Sequence, residues 1–154
     1  MSVRLVRGRT VLASLALVLS ACGERWPDDG IDPRNPAKLT IGKEVYEAHC
    51  AVCHGDKLEG QADWRQRRAD GRLPAPPHDA SGHTWHHTDE ELFAMVHDGL
   101  VPPLAPEGYQ SDMPAYGEVL SDDEIRAVLA YIQSRWPEEV QAMRREMLEQ
   151  RAVR

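Results

Sequence analysis

The residues best able to do chemistry in this 154-residue chain are two thiols and an imidazole in the run Cys50-Ala51-Val52-Cys53-His54. At this spacing the thiols can add across the two vinyl groups of a haem while the adjacent imidazole binds the iron, because one porphyrin edge sets both the separation and the residue types. Two other chemistries use paired cysteines. A thioredoxin-like redox pair needs a βαβ setting, and half a zinc site needs two further ligands at suitable spacing. No stretch of this sequence alternates as a strand would. The composition also favours covalent haem: four Trp, four Tyr and one Phe make a thin apolar core, and a buried porphyrin supplies the missing volume.

A haem iron held by His54 needs a sixth ligand, and Met113 in Asp112-Met113-Pro114-Ala115-Tyr116 is the candidate. Pro114 donates no backbone hydrogen bond and biases the chain toward an extended shape, so Met113 is presented on a loop, whereas an unpaired Met usually fills a core. His/Met ligation raises the reduction potential and leaves no open position, which suits electron transfer over oxygen or peroxide chemistry. The run from Leu73 to His87 is the least generic part of the chain. Trp85 there can donate to a haem propionate or simply pack on the haem edge. His83, His86 and His87 can bind copper, replace Met113 on the iron, or serve as loop and cap residues. His49, His78, His97 and Met95 are further ligands on paper. Ser81 and the other hydroxyls show no nucleophile signature, so hydrolysis is not supported.

The elements that must position these groups read as helices. Thr40 is a plausible N-cap for a helix through Tyr46 to Cys50, with Gly42, Tyr46 and Cys50 recurring on one face. Gly55 to His87, rich in Gly, Pro, Asp and Arg, reads as mostly loop, long enough to wrap a haem. Two capping boxes announce further helices: Thr88 to Glu91 before Leu92, Phe93 and Val96, and Ser121 to Glu124 before Ile125, Val128, Leu129 and Ile132. The last set is an i, i+3, i+4, i+7 stripe, and the Gly42 face of the first helix is its best partner. Beyond Pro137 the charged tail reads as a solvated helix held by weak ion pairs.

Arg4, Arg7 and Arg9 precede an apolar run from Val11 to Leu19, the pattern of a signal peptide. Leu19-Ser20-Ala21-Cys22 resembles a bacterial lipobox, which implies cleavage before Cys22 and lipid on that residue. Removing the three arginines takes the formal charge from -7 to about -10. That excludes a nucleic-acid partner, since binding phosphates needs clustered Lys and Arg, and it suits a partner with a basic docking patch. The expected organisation is a signal peptide over 1–21, a tether over 22–38, a haem domain over 39–136 and a charged helical tail over 137–154.

The segment from about Leu39 to Trp136 resembles a class I, monohaem cytochrome c: a first helix with Gly42 and Tyr46, CAVCHG, a proline-rich loop, a middle helix, the Met113-Pro114 loop, and a last helix with Leu129 and Tyr131. The segment Gly82-His83-Thr84-Trp85-His86-His87 resembles the GHxWHH feature of a lipoprotein-type subfamily. The resemblance implies an all-α cytochrome c fold, three to four helices with long loops around one covalent haem c. It also implies a crossing of first and last helices at Gly42, thioethers to Cys50 and Cys53, and iron held by His54 and Met113. A proline carbonyl, from Pro74, Pro76 or Pro77 with Pro76 as the candidate, would accept from the outer nitrogen of His54. The expected function is one-electron transfer on the outer face of a bacterial membrane by a monomer anchored through Cys22, between redox proteins such as a membrane oxidase or dehydrogenase and without substrate turnover. The alternatives are a haem sensor or peroxidase-like enzyme with a labile distal ligand, and a copper-handling module using the histidine-rich loop.

Overall fold

Asn35 and Pro36 start the first helix. In the computed structural model, which describes residues 30–153, helix α1 spans Pro36–Val45. The Asn35 side-chain oxygen accepts from the amides of Ala37 at 3.1 Å and Lys38 at 3.3 Å. Proline at the first helical position lacks only a donor that would be orphaned anyway. The helix therefore begins four residues before the expected cap. Thr40 lies inside it, with its hydroxyl turned back onto the Pro36 carbonyl at 3.1 Å. The signal peptide over 1–21 and Cys22 lie outside the described residues.

The chain does not run on as one regular helix to the cysteines. Residues Tyr46–Cys50 form a single π turn, in which the Ala51 amide reaches the Tyr46 carbonyl. The turn carries one residue more than α-helical geometry, so it re-aims the short helix α2, Ala51–His54, relative to α1. Gly55, at φ +81°, ends it.

Helices α3, Asp89–His97, and α4, Asp122–Ser134, start where their capping boxes place them. The Thr88 hydroxyl accepts from the Glu91 amide at 3.1 Å, while the Glu91 carboxylate accepts from the Thr88 amide at 2.8 Å. Ser121 and Glu124 exchange the same pair of bonds at 3.3 and 2.8 Å. Between α2 and α3 the chain is irregular apart from one 3₁₀ turn at Thr84–His86. No strand occurs among the described residues, and the fold is all-α.

Helix α4 crosses α1 at Gly42. A Cβ there would lie 2.0 Å from the Ala127 carbonyl oxygen and 2.9 Å from the Tyr131 Cβ, so the two backbones touch at a point only glycine allows. Around the crossing lie Val45, Tyr46, Leu58, Leu92, Leu120, Ile125, Val128, Leu129, Ile132 and Trp136, all buried. No helix among the described residues is long and apolar enough to cross a membrane.

Helix α5, Glu138–Ala152, corrects the expectation of a merely solvated tail. Arg144 is only 5% exposed. Its guanidinium donates to the Trp85 carbonyl at 3.0 Å, to the His87 carbonyl, and to the Asp89 carboxylate at 2.6 Å, and it lies over the Trp136 ring. Asp89 also accepts from Gln133 of α4 at 2.7 Å. One buried cation thus fastens α5 to the 3₁₀ turn and the start of α3. Hydrogen bonds to charged groups are each worth about 1.5–3 kcal/mol. Arg144→Ala is therefore expected to lower unfolding free energy by roughly 2–3 kcal/mol in a denaturant titration, while exposed Arg145→Ala should stay within about 0.5 kcal/mol of wild type. Equal effects of the two substitutions would contradict this role.

Candidate functional site

The Cys50–His54 run straddles the surface. Cys53 and Val52 face solvent, Cys50 is half-buried and His54 is buried. Both cysteines are free thiols. Burial pushes the Cys50 thiol up to about 11, and neighbouring Cys53 adds to the shift. A dithiol redox centre works through a depressed thiol, and burial shifts Cys50 the other way.

His54 Nδ1 lies 2.8 Å from the Pro76 carbonyl oxygen. A carbonyl only accepts, so Nδ1 carries the proton and Nε2 keeps its lone pair. Burial lowers the pKa of His54, with the Pro76 bond opposing it in part, and the ring stays neutral and able to ligate a metal. The acceptor is held by its surroundings. A Cβ on Gly82 would sit 2.0 Å from the Pro77 carbonyl oxygen, and one on Gly60 would sit 2.4 Å from the Pro77 nitrogen. The Gly60 amide donates to the His54 carbonyl at 2.8 Å, and the His78 amide to the Leu58 carbonyl at 2.8 Å. His78 then stacks on His54, ring centres 3.9 Å apart. It shares a hydrogen bond with the Thr84 hydroxyl at 2.9 Å, and burial holds its pKa well below that of an ordinary histidine.

Met113 is half-buried, and its amide donates to the Ser111 hydroxyl at 3.0 Å. Its loop is stitched to the cysteine motif: the Tyr116 hydroxyl donates to the His49 carbonyl at 2.9 Å. The Tyr116 phenol is pushed up first by burial and then by the nearby Cys50 and Cys53. Asp112 is bound by Arg68 and Arg72 from the loop after the cysteines.

Trp85 is half-buried and stacks on His86 at 3.7 Å. Its indole Nε1 is buried without a hydrogen-bond partner, as is Arg72 Nε, and these are the side-chain nitrogens or oxygens so placed among the described residues. A buried donor lacking an acceptor costs about 1–3 kcal/mol. An anionic carboxylate is the acceptor both would suit, and a haem carries two as propionates. The donors, the neutral His54 and the free thiols fit that group.

The three loop histidines do not converge. His83 stacks on Trp64 and meets His87 edge-on, His86 lies on Trp85, and His87 Nδ1 is 3.5 Å from the Glu91 carboxylate. No group of three or more His, Cys, Asp or Glu able to hold a metal ion occurs among the described residues. Of the other candidates, His49 packs edge-on against Tyr116 and His97 bonds Asp98 at 2.6 Å. Sequence reasoning missed the Arg68–Asp112–Arg72 cluster, Arg144 and the His78 stack. The arginine-rich loop and the acid directly before Met113 were the available signal for the first.

Residues 37–132 match the family described as "Cytochrome C oxidase, cbb3-type, subunit III". The chain is 23% identical over 96 residues to the Cbb3-type cytochrome c oxidase subunit FixP of Sinorhizobium medicae (strain WSM419), covering 62% of this chain but only 29% of that protein. It is 32% identical over 97 residues to cytochrome c6 of Tetradesmus obliquus, covering 62% of this chain and 89% of the other. No solved structure gives a significant match. Gly82→Ala must displace the Pro77 carbonyl and, next to it, the His54 acceptor. The expected loss is about 1–3 kcal/mol of stability, read as a lower thermal midpoint; an unchanged midpoint would contradict the pinch.

Proposed function

We infer the function of this chain from its family: it belongs to the family described as cytochrome c oxidase, cbb3-type, subunit III, and is a haem-based electron carrier with covalent haem c. Cys50 and Cys53 are proposed to carry the two thioethers, His54 to bind the iron through Nε2, and Met113 to close the sixth position. The haem supplies a one-electron couple.

The residues of the chain do the rest. Pro76 fixes the His54 ring and raises its basicity through Nδ1. Trp85 and Arg72, each with a buried N–H lacking a partner, would hold the propionates. Met113 as a thioether ligand would favour the ferrous state and keep small molecules off the iron. On this reading the protein passes electrons and turns over no substrate. The observation that carries it is the buried, neutral His54, oriented by the Pro76 carbonyl and adjoining two free thiols.

The proposed setting is the outer face of a bacterial membrane, with the protein exported, cleaved before Cys22 and anchored by lipid there as a monomer. The partners are proposed to be redox proteins presenting basic docking patches, and the likeness to a subunit of a cbb3-type cytochrome c oxidase supports an oxidase as acceptor.

Two experiments test these assignments. The ferric protein should show a sulfur-to-iron charge-transfer band in the near red, and Met113→Ala should abolish it; a band that survives the substitution refutes Met113 as ligand. Globomycin should make a precursor of higher mass accumulate, and Cys22→Ser should abolish incorporation of labelled palmitate; a Cys22→Ser variant that still incorporates the label refutes the lipid anchor.

A further inference from the structure

A methionine on an irregular loop keeps its place on an iron only if something other than helix or strand hydrogen bonds holds the loop closed. The residue before Met113 carries one such hold, beside the bond from the Tyr116 hydroxyl to the His49 carbonyl. One Asp112 carboxylate oxygen accepts from Arg68 Nη2 at 2.8 Å and the other from Arg72 Nη1 at 2.7 Å. Both arginines belong to the loop after the cysteines, and a hydrogen-bonded turn presents them together. The Arg68 amide donates to the Arg72 carbonyl at 2.9 Å, the Gly71 amide to the Arg68 carbonyl at 2.9 Å, and the Arg72 amide to the Asp70 carboxylate at 3.0 Å. Arg68 Nη2 is also 3.3 Å from the Leu73 carbonyl. The carboxylate is thus shared between two guanidinium groups, one per oxygen, which is the networked geometry in which exposed ion pairs count.

We propose that Asp112, clamped by Arg68 and Arg72, is the positioning residue that keeps Met113 on the haem iron. This rests on the reading of Met113 as the sixth ligand. The three side chains are 40–45% exposed, so the clamp adds little to global stability. It acts on a local equilibrium. Freeing the Met113 loop regains backbone entropy, and both ion pairs must break when the loop swings away. Their strength therefore enters the opening equilibrium directly, and because they are exposed, salt weakens them.

The test is an imidazole titration of the ferric holoprotein at low and high ionic strength, followed by loss of the sulfur-to-iron band. Imidazole takes the iron only when Met113 leaves it, so its apparent affinity reports loop opening. At low salt Asp112→Asn is expected to bind imidazole roughly three- to tenfold more tightly than wild type. Arg68→Ala, which removes one of the two ion pairs, should act in the same direction by an independent route, and Asp112→Glu should recover most of the wild-type behaviour. High salt should move wild type toward Asp112→Asn while leaving that variant nearly unchanged. Glu139→Gln, the same charge change on α5, should have no effect. Wild-type imidazole affinity and salt response in both Asp112→Asn and Arg68→Ala would overturn the clamp while leaving Met113 ligation intact. A band that persists in Met113→Ala would instead overturn the ligand assignment, and the clamp with it.

Discussion

The hydrogen bond from His54 Nδ1 to the Pro76 carbonyl is the constraint on which the rest of the structure turns. A buried histidine can ligate a metal only if it is neutral and its lone pair is on the nitrogen facing the metal. Burial disfavours the charged ring, with the Pro76 bond opposing it in part, and the carbonyl, which can only accept, fixes the remaining proton on Nδ1. Holding that carbonyl requires a stretch of backbone with no regular structure to stay rigid. It is gripped from both sides, by Gly60 and Gly82 approaching Pro77 and by His78 bonded through its amide to Leu58. The Trp136 indole donates to the His78 carbonyl at 2.7 Å, which ties the same stretch to the end of α4.

The helices form the frame for this segment. The contact of α1 with α4 at Gly42 brings Tyr46 into the core, where its hydroxyl donates to the Gly55 carbonyl at 2.8 Å and fixes the end of the cysteine motif. Tyr116 performs the matching task at the start of the motif, reaching the His49 carbonyl. The two tyrosines bracket Cys50 to His54 between them. Arg144 closes the opposite side by holding the Trp85 and His87 carbonyls from a helix beyond the family-matched residues 37–132. Local order in the long loop thus comes from side chains that reach into it from elements distant in the sequence.

That division explains what could be read in advance. The helix starts at Thr88 and Ser121 were legible because a capping box is a local exchange between residues three apart. The crossing at Gly42 was legible because a glycine on an apolar helical face has few other uses. Thr40 misled because the stronger Asn35-Pro36 signal sits inside a stretch whose prolines and aspartates read as tether. The π turn at Tyr46–Cys50 left no trace in residue types, since it alters hydrogen-bond spacing without altering hydrophobic pattern. Arg144 read as one more solvent-facing charge because its acceptors are backbone carbonyls over fifty residues away, and carbonyls carry no sequence signature. The histidine-rich loop invited a metal, yet His83 and His86 stack on tryptophans and His87 lies by Glu91, so the three rings form no cluster.

On the proposed assignment His54 and Met113 would both hold the haem iron and leave it no open position. Proton NMR of the reduced protein with isotopically labelled methionine methyl groups tests this assignment most directly, because the porphyrin ring current shifts only a methyl lying over the iron. Five methionines occur in the sequence. One methyl resonance should lie far upfield of the others and be absent from Met113→Leu. A spectrum with no displaced methyl, or one in which the displaced methyl survives that substitution, would contradict it.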